Sequence, residues 1–301
     1  MIGERAVVVG GRGAVGGMFV SLLASAGARV CAVDPREPAG PSPASTVRFE
    51  RADITDIGSR LADELGRADV VVLAVPESVA LAAVEDVAAA MRPGALLVDT
   101  LSVKTAIAGV EAALSGIEVV SLNPMFAPSL DLAGRPVAAV VVHGGPCGAA
   151  LLDLIGKHGG RVVTMTADAH DRLTAATQAL THAAVVAFGI ALRALDVSAA
   201  ELSAVAPPPH ATMLGLLARI CSGVPETYWD IQAANPHAHR ARAALADGIA
   251  RVAGLVDAAD EARFAAALAD LRGFLGDELE HHSEACTRAF AIQTYSQPPA
   301  E

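Results

Sequence analysis

Hydrophobic positions fall into two rhythms along this chain. Through the first 165 residues, short and nearly continuous apolar runs recur: "AVVVG" (6–10), "ARVCAVD" (28–34), "DVVVLAVP" (69–76), "ALLVDT" (95–100), "EVVSL" (118–122) and "VAAVVV" (137–142). Runs with so little polar alternation fit parallel strands covered on both faces. Ala-rich stretches with helical spacing separate them, which makes βαβ units and a doubly wound parallel sheet. From about Thr166 the strand runs stop. What remains is Ala- and Leu-rich with helical spacing, broken at "APPPH" (206–210) and "AANPH" (233–237). The expectation is an α/β chain of two domains, a sheet domain over 1–165 and an all-helical domain over 166–301. A helical domain appended to such a sheet often supplies a dimer interface, so a homodimer is expected.

Composition narrows the partners. The chain has 301 residues, 53% of them hydrophobic, which is enough for one large core or two smaller ones. The net charge of −11 comes with no basic cluster, which argues against nucleic acid. Cys31, Cys147, Cys221 and Cys286 are scattered without metal-ligand spacing, so no metal site and a reduced, cytoplasmic setting are expected. "MIGERAVVVGG" enters a strand pattern without the features of a signal peptide. The longest apolar run, "AAVVAFGIAL" (183–192), is half the length of a bilayer span and predicts a buried helix rather than a membrane segment. The tail "SQPPAE" predicts disorder.

Chemistry starts at the first strand. "VVVGGRGAVGG" places Gly11, Gly13 and Gly16 in a GxGxxG pattern directly after it. Gly11 is expected to permit the tight turn, Gly13 to let backbone approach a pyrophosphate, and Gly16 to let the next helix pack on the strand. Ala14 and Val15 then open that helix, where free N–H groups can hold phosphates. Glycine-rich turns are common, but here strand, helix and second strand flank the motif, and Asp34 ends the second strand 18 residues after Gly16. A carboxylate there suits the ribose hydroxyls of NAD and repels a 2′-phosphate. Arg36 keeps NADP open, and Val75 and Pro76 join the cofactor side at the end of their own strand. The N-terminal domain is therefore expected to be a dinucleotide-binding, Rossmann-type sheet.

Three stretches end at the carboxyl edge of that sheet, where substrate meets cofactor: "AVPES" (74–78), "DTLSVK" (99–104) and "LNPMFAPS" (122–129). Taken singly, each is compatible with an ordinary strand-to-helix turn, and Ser102 with a helix N-cap. Together they resemble the prephenate and arogenate dehydrogenase family. "AHDRLTAATQALTH" (169–182) and "ETYWDIQAANPHAHR" (226–240) extend the resemblance over roughly residues 5–290. It implies NAD-dependent removal of hydride from C4 of a cyclohexadiene ring while the ring carboxylate leaves as CO2. It also implies Ser102 as an orienting serine and His182 as a substrate-contacting histidine. Thr174, Gln178 and His182 are four apart and would share one helix face, placing Gln178 with the substrate. Where the family carries an arginine for a substrate carboxylate, the nearest alignment gives His237, with Arg240 or Arg242 about a turn on. A solvated helix start is the equal alternative for His237. His170 with Asp171 also matches the family pattern, and a helix-start role is equally open. His143, His158, His210, His281 and His282 read as surface or packing residues, and Phe126 and Trp229 as core or pocket wall.

One departure matters most. The resemblance implies a histidine base immediately before Pro124-Met125, and the residue there is Asn123. General-base catalysis is typically worth about a hundred- to ten-thousand-fold, and an amide cannot supply it. Either catalysis is lost or the substrate does not need that base. A 4-amino group in place of the ring hydroxyl meets the second condition: nitrogen is the better electron donor, and the Asn123 carbonyl can accept an N–H bond from it. The expected substrate is then 4-amino-4-deoxyprephenate. Two alternatives stand beside it: a prephenate or arogenate dehydrogenase in which another group, such as His182 through a water, replaces the base, and a silent NAD-binding homologue.

Overall fold

In the computed structural model, residues 2–36 and 46–292 are described; the tail expected to be disordered lies outside them. Eight strands form one sheet: β1 (Arg5–Val9), β2 (Arg29–Asp34), β3 (Val47–Arg51), β4 (Val70–Leu73), β5 (Leu96–Asp99), β6 (Glu118–Pro124), β7 (Pro136–His143) and β8 (Arg161–Thr164). Their order is β3-β2-β1-β4-β5-β6-β7-β8. Helices α1 (Ala14–Ser25), α2 (Ser59–Arg67), α3 (Glu77–Ala90), α4 (Thr105–Glu111) and α5 (Pro146–Lys157) connect the strands, and α6 (Ala167–Thr174) follows β8.

Alternate residues of each strand feed two cores. Val8, Val30, Val72, Val98 and Leu122 face Phe19 and Leu23 of α1 and Leu151 and Ile155 of α5. Val7, Val33, Val71, Leu73 and Leu97 face Leu61 and Leu65 of α2, Val84 and Val87 of α3, and Ile107 of α4. Each fully buried side chain of this size contributes about 1.5–3 kcal/mol relative to exposure. This two-sided burial is why the central runs carry no polar alternation.

Two strands escape the sequence pattern, and one pairing departs from it. β3 and β8 are the edge strands, with mixed sequences "VRFER" and "RVVT" and half-exposed burial patterns, so neither makes an apolar run. β7 is antiparallel to β6, whereas the other six pairings are parallel. The connection over 125–135 holds no helix. A parallel return needs a crossover of a dozen residues or more, usually helical, so the chain turns back instead.

Chain contacts divide the molecule into two units: residues up to Ala175 together with Trp229–His237, and Ala176–Tyr228 together with the residues from Ala238 on. The second unit is helical: α7 (Leu180–Ala194), α8 (Ala199–Val205), α9 (Pro208–Cys221), the start of α10 (Pro225–Ala233), α11 (Ala238–Asp257), α12 (Glu261–Leu275) and α13 (Glu278–Ala291). Leu217 of α9 packs on α7 at Gly189, where an added Cβ would come within 2.7 Å of it. The unit buries little else. In α7, expected to be a buried helix, only Val185 is buried and Ile190 is 66% exposed. The helix is also longer than the apolar run suggested: Ala167–Ala194 is continuous over 28 residues and apolar enough, by length and composition alone, to cross a bilayer.

Candidate active site

The glycine loop joins β1 to α1. Gly10 takes the left-handed conformation, φ +74°, so the residue that permits the tight turn is Gly10 rather than Gly11. An added Cβ at Gly10 would sit 2.1 Å from the Ala74 carbonyl oxygen, just before Val75 and Pro76. Gly11 has a different reason to be glycine, since a Cβ there would lie 2.8 Å from the Ala32 Cβ on β2. At Gly16 the Cβ would meet the Gly10 carbonyl oxygen at 2.1 Å, which locks α1 against the loop. Gly13 is the N-cap and offers no side-chain acceptor, so the amides of Ala14, Val15 and Gly16 point out of the helix start without a cap.

Asp34 ends β2 beside this loop and is buried. Its carboxylate accepts from the Arg12 amide at 3.3 Å, the Arg36 amide at 3.1 Å and the Arg36 guanidinium at 3.0 and 3.3 Å. Burial alone would raise its pKa, but the Arg36 hydrogen bonds outweigh burial and hold it below the usual carboxylate range. Asp34 is therefore an anion at neutral pH, and Arg36 is engaged with it. A glycine cradle with uncapped amides and a buried carboxylate at the second strand fit a dinucleotide.

At the carboxyl ends of β5 and β6 lies a buried polar network. Lys104 is fully buried, and its ammonium donates to Asp99 Oδ1 and to the Leu122 carbonyl, both at 2.8 Å. Below it sits Glu111, also fully buried. Burial first, then the charge of Asp99, push the Glu111 carboxyl up to about 9. Among the described residues, Asp99 Oδ2 and both Glu111 oxygens lack an N–H or hydroxyl donor. The protonated Glu111 carboxyl supplies that hydrogen to Asp99, leaving the cluster with one cation and one anion.

Above the lysine, α4 is capped from another element. Asp171 of α6 accepts from the amides of Lys104 and Thr105 at 2.8 Å each and from the Thr105 hydroxyl at 2.5 Å. Ser102 is thus not the N-cap; it is half-buried in the β5–α4 loop. Asp171 also accepts a hydrogen bond from His170 Nδ1 at 2.8 Å, and His170 Nε2 lies 3.0 Å from the amide nitrogen of Asn123. Burial opposes ionisation of Asp171, but the bonds from His170, Thr105 and the backbone prevail and lower its pKa. Asn235 completes the arrangement, donating to the Asp171 carbonyl at 2.8 Å and Thr174 Oγ1 at 3.1 Å. At the same corner the Asp168 carboxylate meets His237 Nε2 at 3.0 Å. Glu77, at the start of α3, is pushed up to about 6 by burial and by the charges of Asp230 and Asp171.

Gln178 and His182 lie in the helical unit, as does Arg240. A π-turn over Ala175–Ala179 breaks the four-residue spacing, so Thr174 does not continue the Gln178–His182 face. Gln178 Oε1 and His182 Nδ1 are both buried without a hydrogen-bond partner among the described residues. The His182 ring stands edge-on to Tyr228, 5.0 Å between centroids, and burial lowers its pKa, so it is neutral at pH 7. Arg240 is exposed. Trp229, expected in a core or pocket wall, is 70% exposed, whereas Phe126 packs on the sheet core.

Two family models match the chain: "Prephenate dehydrogenase, nucleotide-binding domain" over residues 41–133 and "Prephenate dehydrogenase, dimerization domain" over 166–270. The chain belongs to the prephenate dehydrogenase family. It is 53% identical over 287 residues to the 4-amino-4-deoxyprephenate dehydrogenase of Streptomyces pristinaespiralis, covering 95% of this chain and 96% of the relative. Its fold matches Aquifex aeolicus prephenate dehydrogenase, crystallised with hydroxyphenyl propionate and NAD+, at a TM-score of 0.71 and 17% identity, covering 90% and 96% of the two chains. Synechocystis arogenate dehydrogenase matches at 0.64 and 17%, covering 90% and 98%.

Within this family member, several residues beside the expected ones build the site. Lys104, Asp99 and Glu111 hold the floor under Leu122 and Asn123, and Asn235 pins the 229–237 segment to α6. The lysine in "SVK" and the adjacent His-Asp pair were visible in the sequence, but nothing in their spacing reveals that they are buried and joined. For Asn235 and Glu111 the sequence gives no signal at all.

Proposed function

We propose that the protein is an NAD-dependent dehydrogenase that converts 4-amino-4-deoxyprephenate to 4-aminophenylpyruvate and CO2. The observation that carries this reading is Asn123, an amide fixed at the carboxyl end of β6 where a base would serve a hydroxyl substrate. The relative at 53% identity, which bears that activity in its name, supports it.

NAD accepts the hydride when bound. The amides of Ala14, Val15 and Gly16 suit its pyrophosphate, with Gly11 and Gly13 keeping the approach clear. Asp34 suits the ribose hydroxyls, and with Arg36 already paired to it a 2′-phosphate would meet an anion. Val75 and Pro76 flank the loop. The substrate reacts as its free amine: the nitrogen lone pair drives hydride from C4, the ring carboxylate leaves as CO2, and its electron pair completes the aromatic ring. Both N–H protons stay on nitrogen, so no base is needed in that step. Asn123 accepts one of those N–H groups, and Ser102 orients beside it. His182, neutral at pH 7, and Gln178 are the proposed substrate contacts of the helical part, and His237 or Arg240 the proposed partner of a substrate carboxylate.

In this reading residues 1–165 carry the cofactor, and residues 166–301 bind substrate and form a cytoplasmic homodimer. The exposed apolar residues of α7 and α11, including Ile190, Ile249 and Val252, then face a second subunit rather than lipid. Purified protein given NAD and either prephenate, arogenate or the amino analogue tests the activity through absorbance of the reduced cofactor. Turnover is expected to be fastest on the amino analogue; faster turnover of prephenate would overturn the proposal.

A further inference from the structure

The geometry points to His170 as the residue that sets Asn123's specificity, by fixing which end of the amide faces the substrate. This rests on the reading of Asn123 as the contact to the ring nitrogen. An asparagine side chain is ambivalent, since one end donates and the other accepts. Turned one way it would receive an amine N–H; turned the other way its NH2 would donate to the amine's lone pair and hold back the electrons that drive the hydride out. Something must choose, and the neighbours of Asn123 show what does.

His170 is fully buried and makes two contacts through its ring. Nδ1 lies 2.8 Å from the Asp171 carboxylate, an acceptor only, so Nδ1 carries a proton. Nε2 lies 3.0 Å from the Asn123 amide nitrogen. Two N–H groups cannot face one another at that distance, so Nε2 presents its lone pair and the Asn123 NH2 donates to it. The imidazole is neutral in this arrangement. Asp171 does not require an imidazolium, because the Lys104 amide, the Thr105 amide and the Thr105 hydroxyl already donate to its charge. The amide oxygen of Asn123 is then left over. It takes no hydrogen bond from any described residue, and it is not among the polar atoms sealed away from solvent without a partner.

The chain of orientation runs from α4 outward. Backbone amides and Thr105 orient Asp171, Asp171 selects the Nδ1–H tautomer of His170, and that tautomer turns the carbonyl of Asn123 outward as an acceptor. His170 is a positioning residue here; it reaches no substrate itself. A protonated imidazole would reverse the last step, because Nε2–H would demand the carbonyl and swing the NH2 outward.

Two measurements test this. The first is nitrogen NMR of the wild-type protein carrying 15N-histidine, which needs no substrate. The buried ring of His170 is expected to show a protonated Nδ1 and an unprotonated Nε2 at neutral pH. A proton on Nε2 would overturn the proposal. The second is kinetic, comparing His170→Leu with His170→Gln. Leucine removes the acceptor and frees the amide to turn. It should lower kcat on the amino substrate by about tenfold, the scale of one buried hydrogen bond, and leave the KM for NAD unchanged. Glutamine supplies a carbonyl for the Asn123 NH2 and should restore most of the loss. Equal losses in the two variants, with their folds intact by circular dichroism, would overturn the orientation role. Should the amino analogue fail to react even with the wild type, the substrate reading falls, while the tautomer measurement still decides the arrangement of His170 and Asn123.

Discussion

At the residue scale, the chemistry depends on side chains whose charge state is set by burial and neighbours. Asp34 is the simplest case. Its carboxylate is buried and held ionised by Arg36 and by backbone. Replacing it with alanine removes the acceptor proposed for the ribose and releases Arg36. The KM for NAD should rise at least about tenfold, as expected for loss of hydrogen bonds to a charged group, and discrimination against NADP should shrink; steady-state kinetics with both cofactors checks this. If Ser102 orients substrate as proposed, Ser102→Ala should lower kcat by about tenfold with little change in NAD affinity, since the hydroxyl caps no helix here. The glycine loop after β1 and Asp34 at the end of β2 were legible from spacing, but the left-handed turn residue is Gly10 rather than Gly11, which spacing alone did not distinguish. His170 was not legible. Its role comes from a contact 47 residues away in sequence, and no local pattern records that.

At the scale of elements, the carboxyl edge of the sheet is held by interactions that cross between helices. α4 borrows its cap from Asp171 on α6, and the floor under β6 is a lysine paired with Asp99 next to a neutral Glu111. Glu111 makes a pH prediction whose sign is definite. Its pKa is raised from 4.5 to about 9 on folding, so the folded state holds a proton that the unfolded state has released. Its contribution is complete below 4.5 and is lost as pH rises toward 9. Between those limits stability should fall by up to about 1.4 kcal/mol per pH unit from this group. Urea unfolding of the wild type and of Glu111→Gln, compared from pH 6 to 9, should show a slope in the former that is flattened in the latter. Asp171 acts on the acid side. Its lowered pKa means that its contribution is present above 3.8 and lost as pH falls below that value. The central strands could be read from the sequence because both their faces are buried, whereas β3 and β8 could not, because an edge strand carries the mixed pattern of a surface. The antiparallel return of β7 was equally hidden, being set by the length of a connection and not by the strand's own residues.

At the scale of the molecule, the two units differ in how they are stabilised. The sheet unit buries its apolar residues internally on both faces. The helical unit leaves Ile190, Val205, Ile249, Val252, Val256 and Phe274 from 53% to 84% exposed, more apolar surface than a lone helical unit sustains in water. Helical spacing marks these elements, but the burial it implies for α7 is not found, since apolar spacing marks a covered face without saying whether its own chain covers it. Val252→Glu places a charge in that surface on α11. It should shift the protein from dimer to monomer in light scattering, with loss of helical signal as the unit loses its partner; an unchanged dimer mass would refute the assignment of this surface. In the proposed chemistry an oriented amide, Asn123, stands where a base would otherwise serve. The ratio of kcat/KM for 4-amino-4-deoxyprephenate to that for prephenate, measured for the wild type and for Asn123→His, tests it most directly. A ratio well above one is expected in the wild type, dropping by about a hundredfold or more in the variant, the lower range of what a general base contributes. A ratio that stays the same in both proteins would contradict it.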